Sequence, residues 1–217
     1  MLHTLKNSST FATYSMTKIA KEKFKLGLEL PTDPRWVNIA EKSLEEILTD
    51  HAYCEQKAAS TCISIIIKYA DKKDVLEQIS PIVSEEWAHF RKVVAELHKR
   101  GFELGKQRKD DYVVQLMQLH KKGGDRDESL VEKLLISALI EARSCERFRL
   151  LSLHISAPEL KAFYHEFMVS EAQHYKVFLN LAKLYKDENY VMERWSEFLA
   201  AEAEIMRNIT PRADRIH

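Results

Sequence analysis

The sequence predicts an all-α protein built around a four-helix bundle, and three observations support this fold class. Only five Gly and five Pro occur in 217 residues. The long segments between them are rich in Ala, Leu, Glu and Lys, which favour helix, and their apolar residues recur at helical spacing. A chain of this length folds as one large domain or two small ones, and we expect a single domain over residues 1–217.

The first helix is predicted over about residues 35–70. Asp33 and Pro34 fit its cap and its first turn. The preceding extension, residues 1–30, is polar with scattered Lys and is interpreted as mixed helix and loop.

The chain then returns, and a second helix ending at Lys99 completes a first helix pair over residues 35–100. Pro81 either kinks this helix or, with the preceding serine, marks its start. Residues 101–127 form a connector long enough to cross the bundle, with a short helix predicted near residues 112–120.

A second helix pair is predicted over residues 128–186, and Pro158 is placed in the first turn of its second member. An extra helix over residues 190–208 is expected to pack outside the four. The last nine residues, 209–217, are interpreted as a loose, basic tail.

Two Glu-x-x-His motifs carry the chemistry, Glu86 with His89 and Glu171 with His174. Residues three apart lie on the same face of a helix, so each motif presents a carboxylate and an imidazole to one point. With nine His in the chain, one such motif is expected by chance. The repetition of the motif is therefore the informative observation.

A lone glutamate precedes each motif, Glu55 by 31 residues and Glu141 by 30. Two lone glutamates and two Glu-x-x-His motifs are the metal ligands of ferritin-like carboxylate bundles. The prediction is a ferritin-like four-helix bundle with a long crossover between the second and third helices and an extra C-terminal helix. The ordinary alternative is a bundle with buried, hydrogen-bonded polar residues.

Four carboxylates and two imidazoles suit iron or manganese, and four negative charges nearly neutralise two divalent cations. Paired iron ions open oxygenase, peroxidase and ferroxidase chemistry. The third-helix ligand has a rival, because Glu146 follows a cysteine as Glu55 does. Its arginine neighbours make a structural ion pair the simpler interpretation, so Glu141 is preferred.

Other residues near the motifs have weaker assignments. Asp50 and His51 either orient a ligand or lie on the surface. Cys54 and Cys145 are interpreted as packing residues.

Composition limits the function classes. The 33 basic and 33 acidic residues balance, so global charge does not favour nucleic acid. Three cysteines without a Cys-x-x-Cys motif suggest neither a disulfide framework nor a zinc site, and they fit a reducing, cytoplasmic location. No apolar run approaches the roughly 20 residues that a membrane span needs, so no membrane association is expected.

Four strings resemble the bacterial tRNA hydroxylase family MiaE, and the likeness extends over about residues 31–185. The strings are DHAYCEQKAA at residues 50–59, EEWAHF at 85–90, ALIEARSCERF at 138–148 and SEAQHY at 170–175.

The resemblance implies a non-haem di-iron monooxygenase that uses O2 to hydroxylate the isopentenyl chain of 2-methylthio-N6-isopentenyladenosine beside the tRNA anticodon. Its implied ligands are the six residues already singled out: Glu55, Glu86, His89, Glu141, Glu171 and His174. A separate reductase must supply electrons, because no flavin or ferredoxin motif is present.

If tRNA is the substrate, phosphate contacts are expected in a run with net charge +4 from His98 to Lys109. Its candidates are Lys99, Arg100, Lys106, Arg108 and Lys109, although a solvated helix end would look the same. Trp87 and Phe148 either line the pocket for the adenine side chain or pack in the core.

Three other functions fit parts of the pattern. A ferritin-like ferroxidase would handle iron without an organic product. A di-iron hydroxylase of another substrate, such as a quinone ring, would need an apolar face for the membrane. A structural bundle would bind no metal.

Overall fold

The computed structural model describes residues 26–210, 212 and 214–217, and these are all-helical, without a strand. Most of the predicted N-terminal extension lies outside the described residues. The helices are α1 (Trp36–Ala40), α2 (Leu44–Lys68), α3 (Lys73–Lys99), α4 (Asp111–Gln118), α5 (Arg126–His154), α6 (Pro158–Ala182) and α7 (Glu188–Asn208). Within this part of the chain, no helix is both long and apolar enough to cross a membrane.

Two helix pairs form the bundle. α2 packs along α3, and α5 packs along α6, while α3 also touches α6. The connections within the pairs, residues 69–72 and 155–157, are so short that the paired helices are antiparallel neighbours. α7 packs against α5 and α4, outside the four.

The crossover between α3 and α5 consists of an irregular segment, the short helix α4 and a turn. Asp110 caps α4 by accepting a hydrogen bond from the Val113 N–H at 3.1 Å. Gly123 and Gly124 have φ of +87° and +84°, a conformation that glycine adopts without strain. Asp125 and Glu128 then form a reciprocal capping box that starts α5.

One predicted helix boundary is wrong, and for another the structure decides between two alternatives. The first helix is interrupted at Ser43, where φ is −134° and ψ is +51°, and this break lets α1 lie against α5. The second helix does not start at Pro81, which lies inside α3. Pro81 is exposed, and so is Glu77, the residue whose carbonyl loses its helical partner.

The prediction of a loose tail is also wrong for residues 214–217. Ile216 is fully buried, its N–H donates to Asp50 at 2.8 Å, and its carbonyl accepts a hydrogen bond from Arg147. His217 stacks on Tyr112 with ring centroids 5.1 Å apart. These long-range contacts have no signal in the local sequence.

The apolar core is divided into two clusters. One includes Ile65 of α2 and Phe178 of α6, and the other includes Leu48 of α2 and Phe167 of α6. Residues between these positions form a polar layer across the bundle.

We expect Ile216→Ala to lower the free energy of unfolding by about 2–4 kcal/mol, because it leaves a cavity in the second cluster. Ile67→Ala is the matched control, since Ile67 is 72% exposed. Urea denaturation measures both variants. Equal, small effects would mean that residues 214–217 do not pack as described.

Candidate metal centre

All six residues predicted as metal ligands lie in the polar layer, and each bundle helix contributes. They form two overlapping groups, and in each group the nearest side-chain ligand atoms lie within 4.8 Å of one another. One group is Glu55, Glu86, His89 and Glu171, and the other is Glu86, Glu141, Glu171 and His174.

Glu86 and Glu171 belong to both groups. These are the glutamates of the two Glu-x-x-His motifs, whereas each remaining residue belongs to one group. The geometry therefore has the form of two adjacent cation positions that share two carboxylates.

Short contacts join the imidazoles and carboxylates. His174 Nδ1 lies 2.6 Å from Glu86 Oε1, and His89 Nδ1 lies 3.3 Å from Glu55 Oε2. The glutamates are at least 95% buried. Burying so many charged groups away from water costs free energy, which opposite charges or hydrogen bonds must offset.

Several of these atoms are held only by ion-pair contacts that lack hydrogen-bond geometry. Both carboxylate oxygens of Glu86 and the Nδ1 atoms of His89 and His174 are buried without a contact of hydrogen-bond geometry. Buried polar atoms are rarely left in this state. Cations between the carboxylates would satisfy them, so the residues fit a pair of metal ions.

The electrostatics agree with this interpretation. Burial raises the pKa of Glu55 well above its usual value, and the Glu86 carboxylate raises it further. Burial, with repulsion from Glu141 and Glu86, also raises the pKa of Glu171 well above its usual value. Burial and mutual repulsion therefore disfavour the charged forms of Glu55 and Glu171, and a bound metal would offset this.

The pKa values of the imidazoles are also raised, which for these groups favours the charged form. Burial tends to lower the pKa of His89, but its contacts with Glu55 and Glu86 outweigh burial and raise the pKa to about 10. The pKa of His174 is raised to about 9 for the same kind of reason, with Glu86 and Glu141 as the main partners. In the metal-free protein, protonated imidazoles therefore supply part of the positive charge in the layer.

Two further residues orient members of this set. His51 is fully buried and its Nε2 lies 2.7 Å from Glu55 Oε1. Glu85 accepts a hydrogen bond from His174 Nε2 at 2.8 Å, which leaves Nδ1 directed at the centre. A carboxylate on the far nitrogen is the usual partner of a metal-binding histidine. Asp50 instead contacts residues 215 and 216, outside the centre.

The structure separates Glu141 from its rival Glu146. The Glu146 carboxylate accepts hydrogen bonds from Thr32 N–H and hydroxyl at 2.6 and 2.7 Å and pairs with Arg143. Arg143 also pairs with Glu202. Glu146 therefore belongs to a structural ion-pair network, and Glu141 lies with the other carboxylates.

A small cavity of about 70 Å³ lies against the carboxylates. Its wall includes Cys54, Asp110, Ser144 and His217, which the sequence did not identify together. His217 Nδ1 lies 3.3 Å from Asp110 Oδ2, and Nε2 lies 2.9 Å from the Ser144 hydroxyl. Residues far apart in sequence meet here, and only the fold brings them together.

The two cysteines of the sequence analysis have different positions. Burial raises the pKa of the Cys54 thiol well above its usual value, so it remains a thiol in the cavity wall. Cys145 is buried and donates to the Met168 carbonyl.

The aromatic candidates lie away from this cavity. Phe148 packs in the core, with its ring centroid 4.5 Å from that of His51. Trp87 is 49% exposed and contacts Phe90.

The predicted phosphate-binding residues are mostly paired with local carboxylates. Lys99 and Arg100 contact Glu96, Arg108 contacts Glu46 and Asp214, and Lys109 contacts Asp111. Lys106 is exposed.

The helix pairs, the crossover and the carboxylate layer define a ferritin-like protein with a candidate two-metal centre, and the predicted fold class is confirmed. The structure resembles that of protein 43 with aldehyde deformylating oxygenase activity from Synechococcus, with a TM-score of 0.82 and 31% identity. The match covers 88% of this chain and 94% of that one.

Residues 18–217 match the family described as tRNA-(MS2IO6A)-hydroxylase (MiaE), and the chain belongs to this family. It is 37% identical over 181 residues to a tRNA 2-(methylsulfanyl)-N(6)-isopentenyladenosine(37) hydroxylase of Pseudomonas putida, covering 83% of this chain and 87% of the relative. A Salmonella typhimurium protein with the same description is 26% identical over 228 residues, covering 82% and 83%.

We expect Glu141→Gln to lower bound iron to well under half of the wild-type content, because it removes one ligand of the second group. Glu146→Gln is the matched control: it should keep wild-type iron but lower stability by about 3 kcal/mol, because it breaks a buried ion pair. Elemental analysis and urea denaturation give the two readouts. If only Glu146→Gln lost iron, Glu146 would be the metal ligand of α5 and Glu141 would not.

Proposed function

We propose that this protein hydroxylates the isopentenyl side chain of 2-methylthio-N6-isopentenyladenosine beside the anticodon of tRNA. The observation that carries this proposal is the combination of MiaE family membership with six buried ligand residues in one layer. Two relatives with matching descriptions, each covered over more than four fifths of its length, support the same substrate.

Two iron ions are the proposed cofactor. Glu55 and His89 would hold one ion and Glu141 and His174 the other, with the shared glutamates between them. When bound, the iron pair would supply the reduction of O2 and the transfer of one oxygen atom to a C–H bond.

The protein's own residues then position the substrate and limit access by water. The cavity beside the carboxylates is lined on its apolar side by Ala58, Cys62, Ile140 and Phe178. These side chains suit a branched hydrocarbon group and would hold its allylic carbon against the centre. His51 and Glu85 keep Glu55 and His174 in their orientations.

Electrons are proposed to come from a separate reductase, and the proposed location is the cytoplasm, where tRNA is modified. The free state of all three cysteines fits a reducing compartment.

A second candidate is an oxygenase acting on an aldehyde, favoured by the likeness to the Synechococcus protein. This second candidate predicts that the protein converts the aldehyde in the absence of RNA.

The test supplies iron-loaded protein with O2, a reductant system and isopentenylated tRNA, and analyses the nucleosides by mass spectrometry. We expect the modified adenosine to gain one oxygen atom, and Glu86→Gln to abolish this product. tRNA lacking the isopentenyl group and a long-chain aldehyde are run in parallel.

Turnover of the aldehyde without any change in the tRNA would favour the second candidate. Iron-loaded protein that oxidises Fe(II) but modifies neither substrate would contradict both oxygenase assignments and favour ferroxidase activity.

A further inference from the structure

The cavity beside the carboxylates continues into a larger surface groove of about 490 Å³. Lys57, Thr61, Val113, Ser137 and Ile140 line both spaces. We call this feature the access groove; it runs between α2 and α5, with Val113 and Met117 of α4 at one side. The groove is larger than the cavity, so it suits the bulk of a nucleotide whose side chain enters the cavity.

The lining of the access groove has no acidic residue among its 13 described members. This is notable in a chain with 33 Asp and Glu, and it contrasts with the four glutamates at the inner end. Hydroxyl and amide groups dominate the polar lining, including Ser60, Ser64 and Gln56. Such groups donate hydrogen bonds to phosphate and ribose oxygens.

Two lysines line the groove, Lys57 from α2 and Lys133 from α5. Both are half-buried, and neither has a carboxylate of the described residues within ion-pair distance. Burial lowers the pKa of Lys133, and the nearby Lys68 lowers it further. An anion bound in the groove would stabilise the positive charges of these two lysines.

The basic run predicted from sequence differs in this respect. Lys99, Arg100, Arg108 and Lys109 already have carboxylate partners, which must be displaced or shared before a phosphate binds. Among the described residues of the run, only Lys106 has no carboxylate partner, whereas both lysines of the access groove have none.

We propose that the access groove binds the single-stranded RNA on either side of the target nucleotide, with Lys57 and Lys133 on backbone phosphates. This inference rests on the proposed function and specifies its RNA-binding surface. Because the groove leads to the carboxylates, RNA bound there places the modified base at the mouth of the cavity.

The test measures binding of an isopentenylated anticodon stem-loop RNA to iron-loaded protein by fluorescence anisotropy over a range of salt concentrations. Lys57→Ala and Lys133→Ala should each weaken binding about 3- to 10-fold and reduce the salt slope by about 0.7, the value for one single-strand phosphate contact. Lys176→Ala is the matched control, because Lys176 is an exposed lysine of α6 outside the groove, and it should bind like the wild type.

Lys99→Ala, Arg100→Ala and Arg108→Ala compare the two surfaces directly. Wild-type affinity and salt slope in both groove variants, with weakened binding in the basic-run variants, would overturn the proposal. Thermal denaturation confirms that each variant is folded.

Hydroxylation of isopentenylated tRNA by the wild type is measured alongside and separates the two claims. If the wild type modifies tRNA and the groove variants keep its KM, the groove assignment fails and the proposed function stands. If the wild type binds RNA through these lysines but modifies no tRNA, the proposed function fails and the groove assignment stands.

Discussion

The burial of four carboxylates in one layer is the constraint on which the rest of this structure depends. An effective penalty of several kcal/mol for each buried ion is tolerable only where opposite charges and directed donors surround it. The bundle concentrates these groups between two apolar clusters, so that packing on both sides fixes the layer. His51, Glu85 and the ligand imidazoles supply only part of the compensation. The buried atoms of Glu86, His89 and His174, whose contacts lack hydrogen-bond geometry, fit a pair of cations as the remaining compensation.

Sequence reasoning succeeded where the signal is local and periodic. Helical spacing places Glu86 with His89, and Glu171 with His174, on single faces, and the long crossover follows from the spacing between the helix pairs. The structure brings these residues together with Glu55 and Glu141. Pro81 left two alternatives open, because a proline either starts a helix or lies within one at a bend. Whether a proline lies on the exposed side of a helix depends on how the bundle packs, and the proline alone does not show this.

The remaining features depend on tertiary contacts. Nothing near residue 217 predicts that its histidine lies beside Asp110 and Ser144 in the cavity wall. Glu85 directly precedes Glu86 in the sequence. Its hydrogen bond with His174, however, depends on how α3 is rotated relative to α6. The basic run was misleading for the same reason, because most of its cations have a neighbouring carboxylate in the folded protein. Isolated Lys57 and Lys133 drew no attention in the sequence.

The centre and its surroundings have opposite electrostatic characters. The inner cavity is lined by four glutamates and, at about 70 Å³, has room for a side chain but not for an RNA backbone. The outer groove is free of acidic side chains, so a polyanion can lie there. The crossover contributes to both regions through Asp110 and Val113, and residues 214–217 hold it in place through Arg215 and His217. The long connection is therefore part of the functional architecture.

The central claim is that two metal ions share Glu86 and Glu171. The most direct test is anomalous diffraction from crystals of the iron-loaded protein, with data on both sides of the iron absorption edge. The account predicts two iron peaks about 3.5–4 Å apart, the separation usual for paired metals, each beside one histidine of the two motifs. A single peak, or iron bound only at Cys54, Asp110 and His217, would contradict it.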